Sequence, residues 1–215
     1  MAVMANRSEG LRSDAVGILC VYTLISPKSQ PENSAMPNTA AAAAEPKPRR
    51  FPADAQPPAN ARYGVLPPEK LRELDGMELF GGIMRGEIAG APIAEGMNMW
   101  VHEAEPGRVV FAARPQLRHY NPIGSVHGGF FGTMMDSAMS CAIHTTLKKG
   151  IGYTTLEFRV HLIRAITDKT GPVFCEGRAV NVGRQVGTAE GHLYDADGKL
   201  YAHGTTTCLI FPMPG

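Results

Sequence analysis

The chain has 215 residues, 44% of them hydrophobic, enough for one core of ordinary size. Its 21 basic and 20 acidic residues nearly cancel, which leaves no basic excess for nucleic acid and no acidic excess for a solvating tail. Four cysteines, at 20, 141, 175 and 208, form no CxxC pair and no metal-ligand spacing. They read as reduced thiols of a cytoplasmic protein, and Cys141, Cys175 and Cys208 fall in apolar patterns where a free Cys packs as a small hydrophobe.

No stretch approaches the ~20 apolar residues that span a bilayer, so no membrane partner is expected. "AVGILCVYTLI" (15–25), preceded by Arg7 and Arg12, has the apolar centre of a signal peptide but no small-x-small cleavage site after it. The blander reading is a leader without structure, with Met36 as an alternative start. Residues 26–62 are rich in Pro, Ala, Ser and charge and show no periodicity. Such a segment cannot bury enough apolar surface to offset its ordering entropy, so residues 1–62 are expected to be a disordered leader. The folded domain is expected over 63–215.

In chain order, "PPEKLRELDGMELFGGIMRG" predicts one or two short helices: Pro67-Pro68 suits a helix start, and Leu71, Leu74, Met77, Phe80, Ile83 and Met84 form an apolar stripe. Alternation then marks strands at 97–105 and 108–114, flanking a Pro-Gly turn. A long helix over 127–147 follows. Strands are expected at 153–166 and 173–182 and within 183–211, where Asp197-Gly198 marks a hairpin. In 153–166, Leu156, Phe158, Val160 and Leu162 share one face, with Glu157, Arg159 and His161 on the other. Strands gathered after one helix fit an α+β fold, an antiparallel sheet with a helix on one face.

The helix over 127–147 carries the chemistry. Phe130, Phe131, Met134, Met135, Ala138, Met139, Ala142 and Ile143 recur at three and four, a wide stripe that suits burial against a sheet. On another face Gly128, Gly132, Asp136, Ser140 and His144 form one i, i+4 ridge, which sets Asp136 in a lane of mostly small residues. Two glycines early in a helix cost roughly 1 kcal/mol each relative to Ala. One use for them is a helix N-terminus with bare N–H groups that can hold an oxyanion. Asp136 lies about 12 Å further along the axis at roughly 1.5 Å per residue. Amide and acid can therefore meet on one carbon if they come from two subunits side by side, which predicts a dimer. The blander readings are a solvated helix acid at 136 and an N-terminal or packing role for His127. The seven His residues show no HxxxH or HxH pairing, so no metal site is expected.

Asn121, His127-Gly128-Gly129 and Asp136 stand at the spacing of the hotdog-fold acyl-CoA thioesterases of the PaaI-like family, and the chain resembles that family over roughly 90–212. The likeness runs on through "GYTTLEFRVHLIRAI" and "GRAVNVGRQVGTAEGHLYDADGKLYAHGTTTCLI". The segment 63–90 has no counterpart in the pattern. The resemblance implies a five- to six-stranded antiparallel sheet wrapped around a long central helix, in dimers or dimers of dimers with sites at the interface. It implies hydrolysis of an aromatic or short- to medium-chain acyl-CoA, with no cofactor beyond the coenzyme A of the substrate.

By the same resemblance, the Gly128 N–H would polarise the thioester carbonyl, and Asn121 would help hold that carbonyl or the attacking water. Asp136 of the neighbouring subunit would serve as general base or nucleophile. Thr155 matches a water-orienting Ser/Thr position, with Thr154 as its neighbour in an open register, and His127 would support the turn. Arg164 and the loop Asn181, Val182, Gly183, Arg184 and Gln185 would line the path of the coenzyme A phosphates and pantetheine; solvated strand ends are the plainer reading of both arginines. The alternative function is a non-catalytic acyl-CoA-binding module. A dehydratase ranks lower, because its Asp-then-His motif is missing.

Overall fold

The computed structural model describes residues 49–214. The apolar stretch 15–25, Cys20 and Met36 lie outside the described residues. Three short helices come first: α1 (Pro68–Arg72), α2 (Gly76–Met84) and α3 (Pro92–Gly96). Two strands follow, β1 (Met99–Glu105) and β2 (Arg108–Ala113), and then the long helix α4 (Gly128–His144). The chain ends in β3 (Ile151–Leu162), β4 (Val173–Val182), β5 (Val186–Asp195) and β6 (Leu200–Pro212). All six strands join one antiparallel sheet in the order β1-β2-β4-β5-β6-β3. The fold is α+β, a sheet wrapped around a central helix.

Local chemistry sets the boundaries. Pro68 opens α1, where its missing N–H costs nothing. Asp75 caps α2 in a reciprocal box with Glu78. The helix α3 was not anticipated, since five residues after Pro92 are too few for a periodic signal. Gly107 and Gly198 adopt positive φ at the β1–β2 and β5–β6 turns. At the end of α4, the Thr145 and Thr146 hydroxyls donate to the carbonyls of Ala142 and Ile143.

The apolar stripe of α4 forms the core. Met134, Met135, Ala138, Met139, Ala142 and Ile143 are fully buried, and each methionine contributes about 1.5–3 kcal/mol by leaving water. The sheet is cut away to receive them. Gly177, Gly191 and Gly204 are cross-strand neighbours on β4, β5 and β6. A Cβ at 177 would lie 2.1 Å from the Ala138 carbonyl oxygen, and one at 191 would lie 2.7 Å from the Met139 Cγ. The row of glycines is a trough in which the helix backbone meets the sheet.

The strand β2 is buried along its whole length because both faces of the sheet are covered. Val109, Phe111 and Ala113 face the α4 core, whereas Val110 and Ala112 join Phe51, Ala55, Trp100 and Phe174 on the opposite face. This second cluster corrects the expected boundary of the leader. Residues 49–62 pack on the domain: Phe51 stacks on Phe174 with centroids 4.3 Å apart, and its N–H donates to the Ala196 carbonyl at 2.9 Å. The Arg114 Nε donates to the Ala55 carbonyl at 2.7 Å. Composition averages over a segment and misses a single aromatic anchor with a preformed apolar face to land on.

Candidate functional site

The i, i+4 ridge of α4 runs antiparallel along β3, and each ridge position meets a β3 side chain. A Cβ on Gly128 would lie 3.4 Å from the Leu162 Cδ1, and one on Gly132 would lie 3.7 Å from the Phe158 Cε2. The Thr155 Oγ1 donates to the Asp136 Oδ1 at 2.9 Å. The His144 ring lies 4.9 Å from that of Tyr153. Strict period-two counting would put Thr155 and Phe158 on opposite faces. A β-bulge between Thr155 and Glu157 flips the parity, so both face α4. It also resolves the register: Thr155, not Thr154, meets Asp136. Leu156 at the bulge and Phe158 and Leu162 beyond it remain 58%, 44% and 53% exposed, so the expected apolar side chains of β3 are only partly covered by their own protomer.

The N-terminus of α4 is built by a turn. The Asn121 Oδ1 accepts from the Ile123 N–H at 3.1 Å, and its Nδ2 donates to the Ser125 Oγ at 3.3 Å. His127 is the N-cap: its Nδ1 accepts from the Gly129 N–H at 2.8 Å, which leaves the ring proton on Nε2. Among the described residues no acceptor meets the Gly128 N–H.

Two cavities divide the expected site residues. One, of about 290 Å³, holds Asn121, Gly128 and Arg164, whose guanidinium donates to the Leu200 carbonyl. The other, of about 590 Å³, holds Asp136, Thr154 and Thr155. Its far wall includes Ser140, Cys141, His144 and Tyr153, and its roof comes from the segment 58–94, including Leu79, Phe80 and Ile83. The sequence reading left that segment without a role, because a roof exists only once the helices dock. His144 was visible two steps further along the Asp136 ridge, a signal that was there to follow.

The remaining expected residues lie elsewhere. Asn181, Val182, Gly183, Arg184 and Gln185 form the β4–β5 hairpin, where Gly183 N–H bonds the Val186 carbonyl and Ile210 N–H the Gln185 carbonyl. Ile210 pairs with Tyr153 at the start of β3, whereas Arg164 follows the end of β3. Nine residue steps from Tyr153 to Leu162, roughly 30 Å at ~3.3 Å each, separate the two ends. One protomer therefore does not bring this hairpin to Gly128 or Arg164.

Burial tunes the groups along the chamber. It pushes the Cys141 thiol up to about 12, which keeps it protonated, and raises the Tyr153 hydroxyl well above its ordinary range. It pulls His144 down to about 4, so the imidazole is neutral near pH 7. No cluster of His, Cys, Asp or Glu among the described residues could hold a metal ion, and no helix among them is long and apolar enough to cross a membrane.

A family profile described as Thioesterase superfamily matches residues 123–202, which span α4 and most of the sheet that follows. A phenylacetic acid degradation-related protein of Ralstonia eutropha JMP134 is 27% identical, covering 61% of this chain and 98% of that one, with a TM-score of 0.56. Over the matched residues the chain is similar to the thioesterase superfamily, with PaaI-related proteins among its structural neighbours. The chain is also 28% identical to a point variant of the phenylacetic acid degradation protein PaaI of Thermus thermophilus, over 55% of this chain and 97% of that one, with a TM-score of 0.50. A Haemophilus influenzae thioesterase, at 16% identity over 57% and 85% of the two chains and a TM-score of 0.53, shares the fold. Among curated proteins none matches. The segment 58–94 that roofs the larger cavity lies outside the matched residues.

Proposed function

We propose that this protein is an acyl-CoA thioesterase, a hydrolase acting in the cytoplasm as a homodimer or a dimer of dimers. The observation that carries the reading is the Thr155–Asp136 hydrogen bond in the lining of an apolar cavity. A hydroxyl fixed on one carboxylate oxygen leaves the other free for water. In this reading Asp136 takes a proton from water as the oxygen attacks the thioester carbonyl. The oxyanion rests on the partner subunit's Gly128 N–H, at the helix terminus, with the partner subunit's Asn121 beside it. Collapse then breaks the carbon–sulfur bond, and the thiolate leaves and takes up a proton. The competing route has Asp136 attack the carbonyl itself and form a mixed anhydride that water opens.

Two features support the shared site. Within one protomer Gly128 and Asp136 line separate cavities, which agrees with a site shared between two copies. The strand β3 is also an edge strand with Leu156, Phe158 and Leu162 only partly covered, a ready surface for pairing with another β3. Such a dimer gives the Arg164 and 181–185 elements of two copies a chance to hold the coenzyme A together. The test is free-thiol release from a panel of aryl-, short- and long-chain acyl-CoAs by the parent and by Asp136→Asn. Release by the parent alone supports the hydrolase. Binding of coenzyme A thioesters without release by the parent points to a non-catalytic module.

A further inference from the structure

The larger cavity contains more than the proposed reaction uses. Reading the site as a thioesterase requires a carboxylate, a hydroxyl and an oxyanion site. It does not require a chamber of about 590 Å³. At about 30 Å³ per water-sized group, that volume holds roughly twenty non-hydrogen atoms. The roof lies outside the residues that match the thioesterase profile. Gly76, the first residue of α2, sits directly on the end of α4: a Cβ there would lie 1.9 Å from the His144 carbonyl oxygen, and its N–H donates to the Leu147 carbonyl at 3.1 Å. The helix α2 is thereby pinned across the wall that bears His144, with the Phe80 ring edge-on to the imidazole at 5.6 Å.

The chamber is not uniformly apolar. His144 and Tyr153 both line it. Among the described residues no hydrogen bond reaches either His144 ring nitrogen, and the Tyr153 hydroxyl sits between the Ser140 hydroxyl and the Cys141 sulfur, the latter at 3.8 Å. Both side chains are partly exposed to the chamber, and a few convergent polar groups in an apolar pocket fix the orientation of a ligand. His144 stands two turns of α4 beyond Asp136, about 12 Å at roughly 1.5 Å per residue, and Tyr153 stands on β3 two residues, roughly 7 Å, from the Thr155 that bonds Asp136. We propose that the chamber under α1–α3 is the acyl-group site, and that it selects an elongated acyl chain bearing a hydroxyl toward its far end, read by His144 and Tyr153. Burial keeps both groups neutral near pH 7, which suits a neutral hydroxyl and disfavours a second carboxylate. The inference rests on the thioesterase reading only for which end of the chamber holds the thioester.

The experiment uses coenzyme A thioethers, which cannot be hydrolysed, so binding is read apart from turnover. Chains of six, eight and ten carbons, each with and without a terminal hydroxyl, are titrated by calorimetry against the full chain, with S-methyl-CoA as the short reference. The expected result is that one of the longer chains binds at least tenfold more tightly than S-methyl-CoA, and that its hydroxyl adds about a further tenfold. His144→Phe should bring the hydroxyl ratio to about one, and His144→Gln should restore part of it. Ile83→Trp, in the roof, should weaken the long chains relative to S-methyl-CoA. No gain from a hydroxyl at any length, or a gain untouched by His144→Phe in a protein that melts normally, overturns the proposal. Thiol release from acyl-CoAs without this selectivity keeps the hydrolase and removes the chamber's role. Selectivity without thiol release keeps the chamber and removes the hydrolase.

Discussion

Asp136 is held by one side-chain hydrogen bond, and Thr155 supplies it. Two substitutions separate charge from orientation. Asp136→Asn keeps the shape and removes basicity, and kcat should fall about a hundredfold or more with the melting temperature little changed. Thr155→Val leaves the carboxylate but frees its rotation, so a smaller loss, about tenfold in kcat, is expected. Gly128→Ala adds a methyl that meets only the Leu162 Cδ1 at 3.4 Å. The fold should tolerate it, while kcat should fall because the methyl enters the space before the bare amide. Denaturation and steady-state kinetics on the same preparations check all three. At this scale the sequence was informative: the spacing of Asn121, His127 and Asp136 was legible, and so was the ridge that ends in His144. The choice of Thr155 over Thr154 was not, because a bulge is a fact about the pairing of β3 with β6 and leaves no mark in the composition of β3 itself.

At the scale of elements, α4 and the glycine row explain one another. Gly177→Ala forces a Cβ to within 2.1 Å of the helix backbone, and a backbone carbonyl cannot rotate away. The expected loss is about 3 kcal/mol in urea unfolding. Gly96→Ala, at the end of α3 with nothing within 4 Å of the new Cβ, should instead stabilise by about 0.5 kcal/mol. The contrast tests the close approach and not glycine replacement in general. The six strands and the long helix were legible because their periods are strong. The arm 49–62 was not, since Phe51 is one aromatic in a Pro-rich run, and its burial depends on the face that Phe174 presents.

For the whole molecule, two measurements bear on assembly and on pH. If β3 pairs with a second β3, Phe158→Asp should shift sedimentation toward the monomer and remove turnover together, because each site then loses half its residues. The pH dependence follows from His144. Its folded pKa of about 4 lies below the ordinary 6.5, so the unfolded chain binds the proton first. Stability from this source is complete above about pH 6.5 and is lost as pH falls toward about 4. Burial lowers His102 and His119 in the same direction, so they add with the same sign. Urea midpoints across that range should fall with acid, and less steeply in His144→Gln.

The sequence by itself determined the α+β class, the long helix with its apolar stripe, and the spacing of an acid from a helix terminus, because periodicity and spacing are properties of the chain alone. Only the tertiary structure decided that the terminus and the acid open into separate cavities, that a bulge turns Thr155 onto Asp136, and that α2 and its neighbours roof a chamber ending at His144 and Tyr153. Each of these depends on which surfaces meet after folding, and a contact between distant segments has no local period to announce it.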